Sequence, residues 1–82
     1  MKSISTENEM ADHKVQSEVT GKVWKILRPV GSQVAEGDEV MLVESMKMEI
    51  PVLAPASGEL VTLNVAEGDE VAENQVVAVV RG

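Results

Sequence analysis

The chain has 82 residues, no cysteine, one aromatic residue and a formal net charge of −7. Without cysteine it cannot be a disulfide scaffold or a zinc ribbon, and its acidic balance makes nucleic acid a poor partner because phosphates are repelled. The single histidine has no second ligand beside it, and the carboxylates fall in Gly-containing turns. We therefore expect no metal site and no catalysis by the chain itself.

Residues 1–16 are polar and have no periodicity that could bury one face, so the sequence predicts a flexible tail in which His13 is solvated. The tail lacks the apolar stretch of a secretory signal, and no apolar run exceeds the five residues 76–80. We expect a cytoplasmic protein with no membrane partner.

Residues 17–82 form the predicted domain. Valine-rich runs of four to seven residues alternate there with Gly, Pro, Asn and Asp, a pattern typical of short strands and turns. The run 76–80 is too β-branched and too short for anything but a strand. Residues 38–50 also carry a helical stripe of apolar side chains, which leaves a helix as a competing interpretation of that segment.

An internal repeat favours the strand. Residues 34–40, VAEGDEV, recur unchanged as residues 65–71, and an offset of 37 aligns residues 21–43 with residues 58–80. The repeat predicts two strand–turn–strand–turn–strand units about one core with approximate two-fold symmetry. The same offset aligns residues 39–44 with the segment that contains the valine run 76–80. The four turn centres are residues that tolerate positive φ, namely Gly31, Gly37, Gly68 and Asn74.

The two copies are joined by Glu44-Ser45-Met46-Lys47-Met48-Glu49. We expect a hairpin with Met46 and Lys47 at its turn and strands 39–44 and 49–53 on either side. One interpretation of Lys47 is an ordinary solvated lysine. The other starts from the two methionines that flank it, because exposed methionines are typical of a surface that another protein recognises. The residues alone leave both interpretations open.

The same hexapeptide resembles the attachment motif of biotin carboxyl carrier proteins, the biotinyl domains of biotin-dependent carboxylases, whose pattern is Glu-Ala/Ser-Met-Lys-Met. The resemblance covers residues 17–82 and includes Gly21-Lys22-Val23-Trp24 and Ala54-Pro55-Ala56-Ser57-Gly58. The sister lipoyl domains share the fold but carry Asp-Lys-Ala around their lysine, so the methionines favour biotin. A lipoyl carrier and an unmodified structural barrel are the alternatives.

The resemblance implies an all-β flattened barrel of two four-stranded antiparallel sheets, with the termini at one end and the lysine hairpin at the other. Some relatives insert a thumb after the first glycine-led strand. Residues 24–31 run on without an insertion, so we expect no thumb. Trp24 is expected in the core or in strand packing.

The resemblance also implies that biotin is amide-linked to Lys47 and that Met46 and Met48 help enzymes to recognise the hairpin. Glu44, Ser45 and Glu49 are secondary candidates for that recognition. The implied partners are a biotin protein ligase, a biotin carboxylase and a carboxyltransferase. The chain would carry a carboxyl group from the carboxylase to the carboxyltransferase, usually for an acyl-CoA acceptor as in acetyl-CoA carboxylase. We expect it to be monomeric in isolation.

Overall fold

The computed structural model describes residues 11–82, which form eight β-strands. The strands are β1 (Asp12–Gln16), β2 (Gly21–Ile26), β3 (Gln33–Val34), β4 (Glu39–Ser45), β5 (Met48–Leu53), β6 (Gly58–Leu63), β7 (Glu70–Val71) and β8 (Val76–Arg81). The strand interpretation of residues 39–44 is therefore confirmed, and the helical stripe of that segment is incidental. The valine run forms β8, as predicted.

The strands form two antiparallel sheets of four strands, in the orders β1-β8-β6-β3 and β5-β4-β2-β7. The predicted all-β fold of two four-stranded sheets is confirmed. Within residues 11–82 every pair of hydrogen-bonded strands belongs to one sheet or the other. The two sheets pack face to face on a shared core. No helix long and apolar enough to cross a membrane occurs in this part of the chain.

The predicted two-fold symmetry is confirmed and extends further than the sequence indicated. A shift of 37 residues places β2 on β6 and β3 on β7, and it converts the order β1-β8-β6-β3 into β5-β4-β2-β7. Even the register is repeated, since Lys14 opposes Val79 in one sheet and Pro51 opposes Leu42 in the other. Each half thus contains four strands, one more than the sequence predicted.

The additional strand of the first half is β1, and the prediction of a flexible tail over residues 1–16 was wrong for residues 12–16. This edge strand pairs with β8 and buries Val15 completely, while His13 is half-buried opposite Val80. An edge strand of five residues has few inward positions, so a mostly polar segment can form one. Residues 1–10 of the predicted tail lie outside the described residues.

The core between the sheets consists mainly of valines. Its buried hydrophobic residues come from both sheets and are Val15, Val23, Val34, Val40, Met41, Val43, Val52, Ala54, Leu60, Val71, Val77, Ala78 and Val80. Short β-branched side chains fill a thin space in well-defined rotamers, which suits a small two-sheet fold. The core holds its shape without a single aromatic ring.

Trp24 was expected in the core or in strand packing, and its 54% exposure excludes the core. In the ladder between β2 and β4, Val23 opposes Val43 and Lys25 opposes Leu42, so Trp24 is the extra residue of a β-bulge. A bulge interrupts the alternation of inward and outward side chains. The indole consequently lies on the outer face of the sheet.

Three turns are built in the same way, over residues 35–38, 66–69 and 72–75. In each, the amide of the fourth residue donates to the carbonyl of the first at 3.0 Å, and the side chain of the fourth accepts from the amide of the first at 2.9 Å. The third residue has positive φ, as predicted. Asp38 and Asp69 are therefore turn-stabilising side chains as well as surface charges.

The ends of the described chain are held by an exposed ion pair in which Arg81 Nε donates to Asp12 Oδ1 at 2.7 Å. The hydrogen bond from Arg81 lowers the pKa of Asp12 below its ordinary value. A carboxyl group with a lowered pKa stabilises the fold in full above its unfolded pKa, near 4, and loses that effect as the pH falls through the native pKa.

We therefore expect Asp12→Asn to lower the melting temperature at pH 7, with a difference from wild type that shrinks toward zero near pH 2. Thermal unfolding at both pH values measures it. Glu49→Gln is the matched control, because Glu49 occupies the equivalent position in β5 but faces Glu44 instead of an arginine. An Asp12→Asn effect of equal size at both pH values would contradict the assignment.

Candidate functional site

The hairpin between β4 and β5 is closed by a two-residue turn. Ser45 opposes Met48 in the last pair of the ladder, and Met46 and Lys47 lie between them. Their φ angles are 52° and 66°, and positive φ at both central residues defines a type I′ turn. The predicted hairpin, with Met46 and Lys47 at its turn, is confirmed.

The two residues of this turn are unsuited to its backbone. Type I′ turns favour Asn-Gly or Asp-Gly, because left-handed backbone angles cost an ordinary L-residue on the order of 1 kcal/mol each. Met46 and Lys47 both adopt such angles, although neither has the conformational freedom of glycine. Strain of this kind often marks a functional position, so it indicates that the side chains of Met46 and Lys47 have a role.

The side chains of the hairpin tip project into solvent. Met46 is 92% exposed, Met48 is 63% exposed and Lys47 lies exposed between them. A primary amine in this position can be acylated by another enzyme without any change in the fold. A long group attached to it would also have room, since the tip is open to solvent.

The hairpin lies at the opposite end of the fold from residues 11 and 82, where the described part of the chain begins and ends. At the far end, the Gly82 amide donates to the Ala11 carbonyl at 3.0 Å. A shift of 37 residues relates Gly82 to Ser45 and Ala11 to Met48, so the symmetry axis exchanges the two ends of the fold. The resemblance implied that the termini lie at one end and the lysine at the other, and in the described residues the C-terminus and residue 11 lie together, away from the lysine.

The base of the hairpin is anchored to the start of β2. Ser45 Oγ donates to the carbonyl of Thr20 at 2.9 Å. The backbones of β2 and β4 approach so closely here that a Cβ on Gly21 would overlap the carbonyl oxygen of Glu44 and lie 2.9 Å from Val43 Cγ1. The absence of a side chain at residue 21 is thus a condition for the position of the hairpin.

Two carboxylates flank the base of the hairpin. Glu44 and Glu49 oppose each other across the ladder, and Lys22 opposes Glu44 on its other side. At the far end, the symmetry-equivalent side chains on neighbouring strands alternate between negative and positive charge and include the Asp12–Arg81 ion pair. Like charges directly opposite each other destabilise a sheet, so the adjacent glutamates are costly to folding. They give the surface below Lys47 a local negative charge.

An open groove of about 650 Å³ runs beside the hairpin. Its lining includes Thr20, Gly21, Glu44 and Met46 together with Val71 and Gln75. Sequence reasoning did not find the residues from β7 and its following turn, because only the pairing of β2 with β7 brings them to this end. Among residues 11–82 no group of three His, Cys, Asp or Glu side chains is placed to hold a metal ion.

The structure therefore brings together all six sequence-predicted site residues. Lys47, Met46 and Met48 form the exposed tip. Glu44, Ser45 and Glu49 form the base, with Ser45 serving as an anchor to the neighbouring segment. The arrangement presents one amine, flanked by two flexible apolar side chains, on a rigid two-stranded support.

Comparison with known proteins identifies relatives over most of the chain. Residues 13–80 match a family model described as a biotin-requiring enzyme. The biotin/lipoyl attachment protein of Bacillus subtilis is 41% identical over 63 residues, covering 77% of this chain and 86% of the relative. A biotinylated protein TB7.3 homolog of Mycobacterium leprae is 38% identical over 66 residues, covering 80% of this chain and 93% of the relative.

A solved structure shares the fold. Part of the Kluyveromyces lactis urea carboxylase superposes with a TM-score of 0.82 and 37% sequence identity, covering 85% of this chain and 6% of the enzyme. The matched part is thus a small domain of a much larger protein. The extent of the family match and the identity to near-complete relatives agree with the motif at the hairpin. The chain belongs to the biotin/lipoyl attachment family of biotin-requiring enzymes.

Proposed function

We propose that the chain is the biotin carrier of a biotin-dependent carboxylase and that biotin is amide-linked to Lys47 Nζ. The observation that carries the proposal is the position of Lys47 in a strained two-residue turn, between two exposed methionines. The relative named as a biotinylated protein homolog supports biotin, and the relative named as a biotin/lipoyl attachment protein supports a covalently attached cofactor.

The chain's own contribution is presentation of the amine. Attachment by a biotin protein ligase forms an amide between Lys47 Nζ and an activated carboxyl carbon, while the amine loses a proton and the activating group leaves. The attached cofactor supplies the ring nitrogen on which a carboxyl group is carried. The rigid hairpin keeps the arm at the tip, so that a biotin carboxylase and a carboxyltransferase meet it at high effective concentration. The chain needs no catalytic residue for this role.

An acyl-CoA is the acceptor that the family resemblance suggests, and we keep it as the proposed acceptor. The carrier does not choose it. The K. lactis relative is named as a urea carboxylase, which shows that similar domains belong to enzymes with other acceptors. Selection of the acceptor therefore falls to the carboxyltransferase, which holds the acceptor in its own active site.

Intact-mass measurement after co-expression with a biotin protein ligase tests the attachment. We expect the wild-type chain to gain one biotinyl group and Lys47→Arg to gain none, since the guanidinium is not acylated by this chemistry. Lys22→Arg is the control, because it alters an exposed lysine near the same end and should be modified like wild type. A lipoyl increment would indicate the lipoyl carrier, and no increment in cells competent for both modifications would contradict a carrier role.

The methionines are proposed to be recognised together with the lysine. Because both side chains are exposed, Met46→Leu with Met48→Leu should leave the melting temperature unchanged. We expect kcat/KM to fall about tenfold with the ligase or the carboxylase, since the more rigid leucine adapts less well to a partner surface. Leu53→Met, an exposed change farther along β5, is the control. Unchanged kinetics with both enzymes would remove the methionines from the site.

A further inference from the structure

The open groove beside the lysine hairpin has an equivalent at the far end of the fold, and the two linings differ. Its volume of about 650 Å³ lies within the range of roughly 300–1,000 Å³ that small-molecule sites occupy. The shift of 37 residues maps the lining onto residues at the far end, where the Gly82–Ala11 hydrogen bond takes the place of the hairpin. Residues that recur at both ends serve the fold, and residues that differ are candidates for binding.

The walls of the groove are among the features that recur. Thr20 Oγ1 accepts from the Glu73 amide at 3.2 Å. At the far end Ser57 Oγ accepts from the Glu36 amide at 3.1 Å. Val71 is buried at the floor of the groove, as is the residue at the equivalent position. The groove is therefore held in shape by interactions that the fold makes at both ends, so a ligand would not have to order it.

Gln75 is a part of the lining that the fold does not require. The turn over residues 72–75 needs an acceptor at its fourth position, and Gln75 Oε1 accepts from the Ala72 amide at 2.9 Å. Asp38 and Asp69 meet the same need with a carboxylate in the other two turns. The Gln75 amide also carries an NH₂ group, which donates to no acceptor within residues 11–82. This group is free to bind an acceptor on a ligand.

The groove offers contacts that match the bicyclic ring of biotin. The ring is neutral, with one urea carbonyl, two urea N–H groups and an apolar thioether edge. Gln75 provides a donor for the carbonyl, Glu44 and Glu70 provide acceptors for the N–H groups, and Met46 provides apolar surface. Lys22 lies between the two glutamates and offsets only one of their charges. A neutral ring therefore suits the groove better than an anion does.

The groove also lies within reach of an arm attached to Lys47. Met46 is both a lining residue and the neighbour of Lys47, and Glu44 is three residues away, about 10 Å at 3.3 Å per strand residue. The lysine side chain and the valeryl chain of biotin comprise about eleven bonds of roughly 1.5 Å, which span about 14 Å when extended. A tethered ring meets the groove at an effective concentration on the order of mM, so a site too weak for free biotin would be occupied.

We propose that the groove is the resting site of the biotin arm, in which the ring attached to Lys47 lies against Val71 and Ala72 and its urea carbonyl accepts from Gln75 Nε2. The inference rests on the proposed function. Because the groove is open and its contacts are few, the ring leaves it readily for the active site of a partner enzyme. Between visits the ring is partly withdrawn from solvent by the carrier itself.

Nuclear magnetic resonance of the ¹⁵N-labelled chain tests the proposal without any carboxylase. We expect biotinylation to shift the backbone amides of Val71 and Ala72 and the side-chain NH₂ of Gln75. The amides of residues 35–38, in the equivalent turn at the far end, should stay unchanged. Free biotin added to the unmodified chain at the protein concentration should shift none of them, because it lacks the tether. Shifts confined to Lys47 and the hairpin around it would overturn the resting site.

Gln75→Asp tests the hydrogen bond. It gives the turn the residue that its equivalent already has, so the fold should be kept, and it removes the NH₂ donor. Loss of one hydrogen bond should lower the ratio of docked to free arm about fivefold, so the biotin-induced shifts of Val71 and Ala72 should fall by more than half. Avidin should capture the biotin about twofold faster, since it binds only the arm outside the groove. Asp38→Gln, the mirror change at the far end, is the matched control and should leave both readouts as in wild type.

The possible failures are distinguishable. A wild-type chain that accepts no biotin would refute the proposed function. A biotinylated wild-type chain without shifts at Val71 and Ala72 would refute the resting site alone, whether or not any variant folds. Shifts that persist at full size in a folded Gln75→Asp chain, with an unchanged rate of avidin capture, would refute the proposed contact of Gln75 with the ring.

Discussion

Replacement of Met46 by Asn and Lys47 by Gly is expected to raise the free energy of unfolding by about 1–2 kcal/mol while abolishing biotinylation. Both residues have left-handed backbone angles, and Asn-Gly is the sequence that a type I′ turn prefers. The gain is reduced because glycine adds entropy to the unfolded chain, which is why we expect less than the full strain of two residues. Urea denaturation and intact mass measure the two effects.

The control for this change keeps the strain and removes the amine. Met46→Leu with Lys47→Arg should match the wild-type free energy of unfolding and should also remain unmodified. If the Asn-Gly variant is no more stable than this control, the turn is not strained in solution. The backbone of the turn would then give no support to a function of Lys47, although the attachment itself would stand.

Substitution of Gly21 by Ala is expected to lower the free energy of unfolding by about 3 kcal/mol and to slow biotinylation of Lys47. A Cβ at residue 21 would overlap the carbonyl oxygen of Glu44, and backbone cannot give way as a flexible side chain can. The strands β2 and β4 would have to separate where Ser45 is anchored to Thr20. Urea denaturation and the initial rate of ligase-catalysed biotin incorporation measure the two effects.

The symmetry of the fold supplies the control. A Cβ on Gly58 would overlap the carbonyl oxygen of Arg81 at the far end, so Gly58→Ala should also destabilise the fold. It should leave the rate of biotinylation unchanged in conditions where the variant is folded. Equal slowing by both substitutions would mean that the effect follows global stability and not the geometry of the hairpin base.

Much of the fold could be predicted because the two copies of the internal repeat indicate the same strands and turns. The offset of 37 residues places turn centres on turn centres and the segment 39–44 on an unambiguous valine run. The hairpin followed from its position between the copies. Its motif identified the candidate lysine, and the structure adds the exposure of Met46 and Met48 on either side of it.

The remaining features depend on interactions between segments distant in the chain. β1 was missed because its sequence, DHKVQ, shares only the valine with the equivalent part of β5, and because edge strands tolerate polar residues. Extension of the repeat back to Val15, which aligns with Val52, would have revealed it. The outward position of Trp24 depends on a β-bulge, for which the sequence gives no signal. The strain at Met46 and Lys47 was hidden because neither residue favours positive φ.

The hydrogen bond between Gly82 and Ala11 closes the far end of the molecule almost as the hairpin closes the other. A two-residue linker from residue 82 to residue 11 would make the backbone a ring with two equivalent turns, and the ring could be reopened at the lysine turn without loss of a strand. The eight strands thus follow a ring-like path, and the opening in the ring could be moved from one turn to the other. A larger protein joined to residues 11 and 82 would hold the domain by two adjacent strands. Lys47 would then be the part of the domain farthest from the junction.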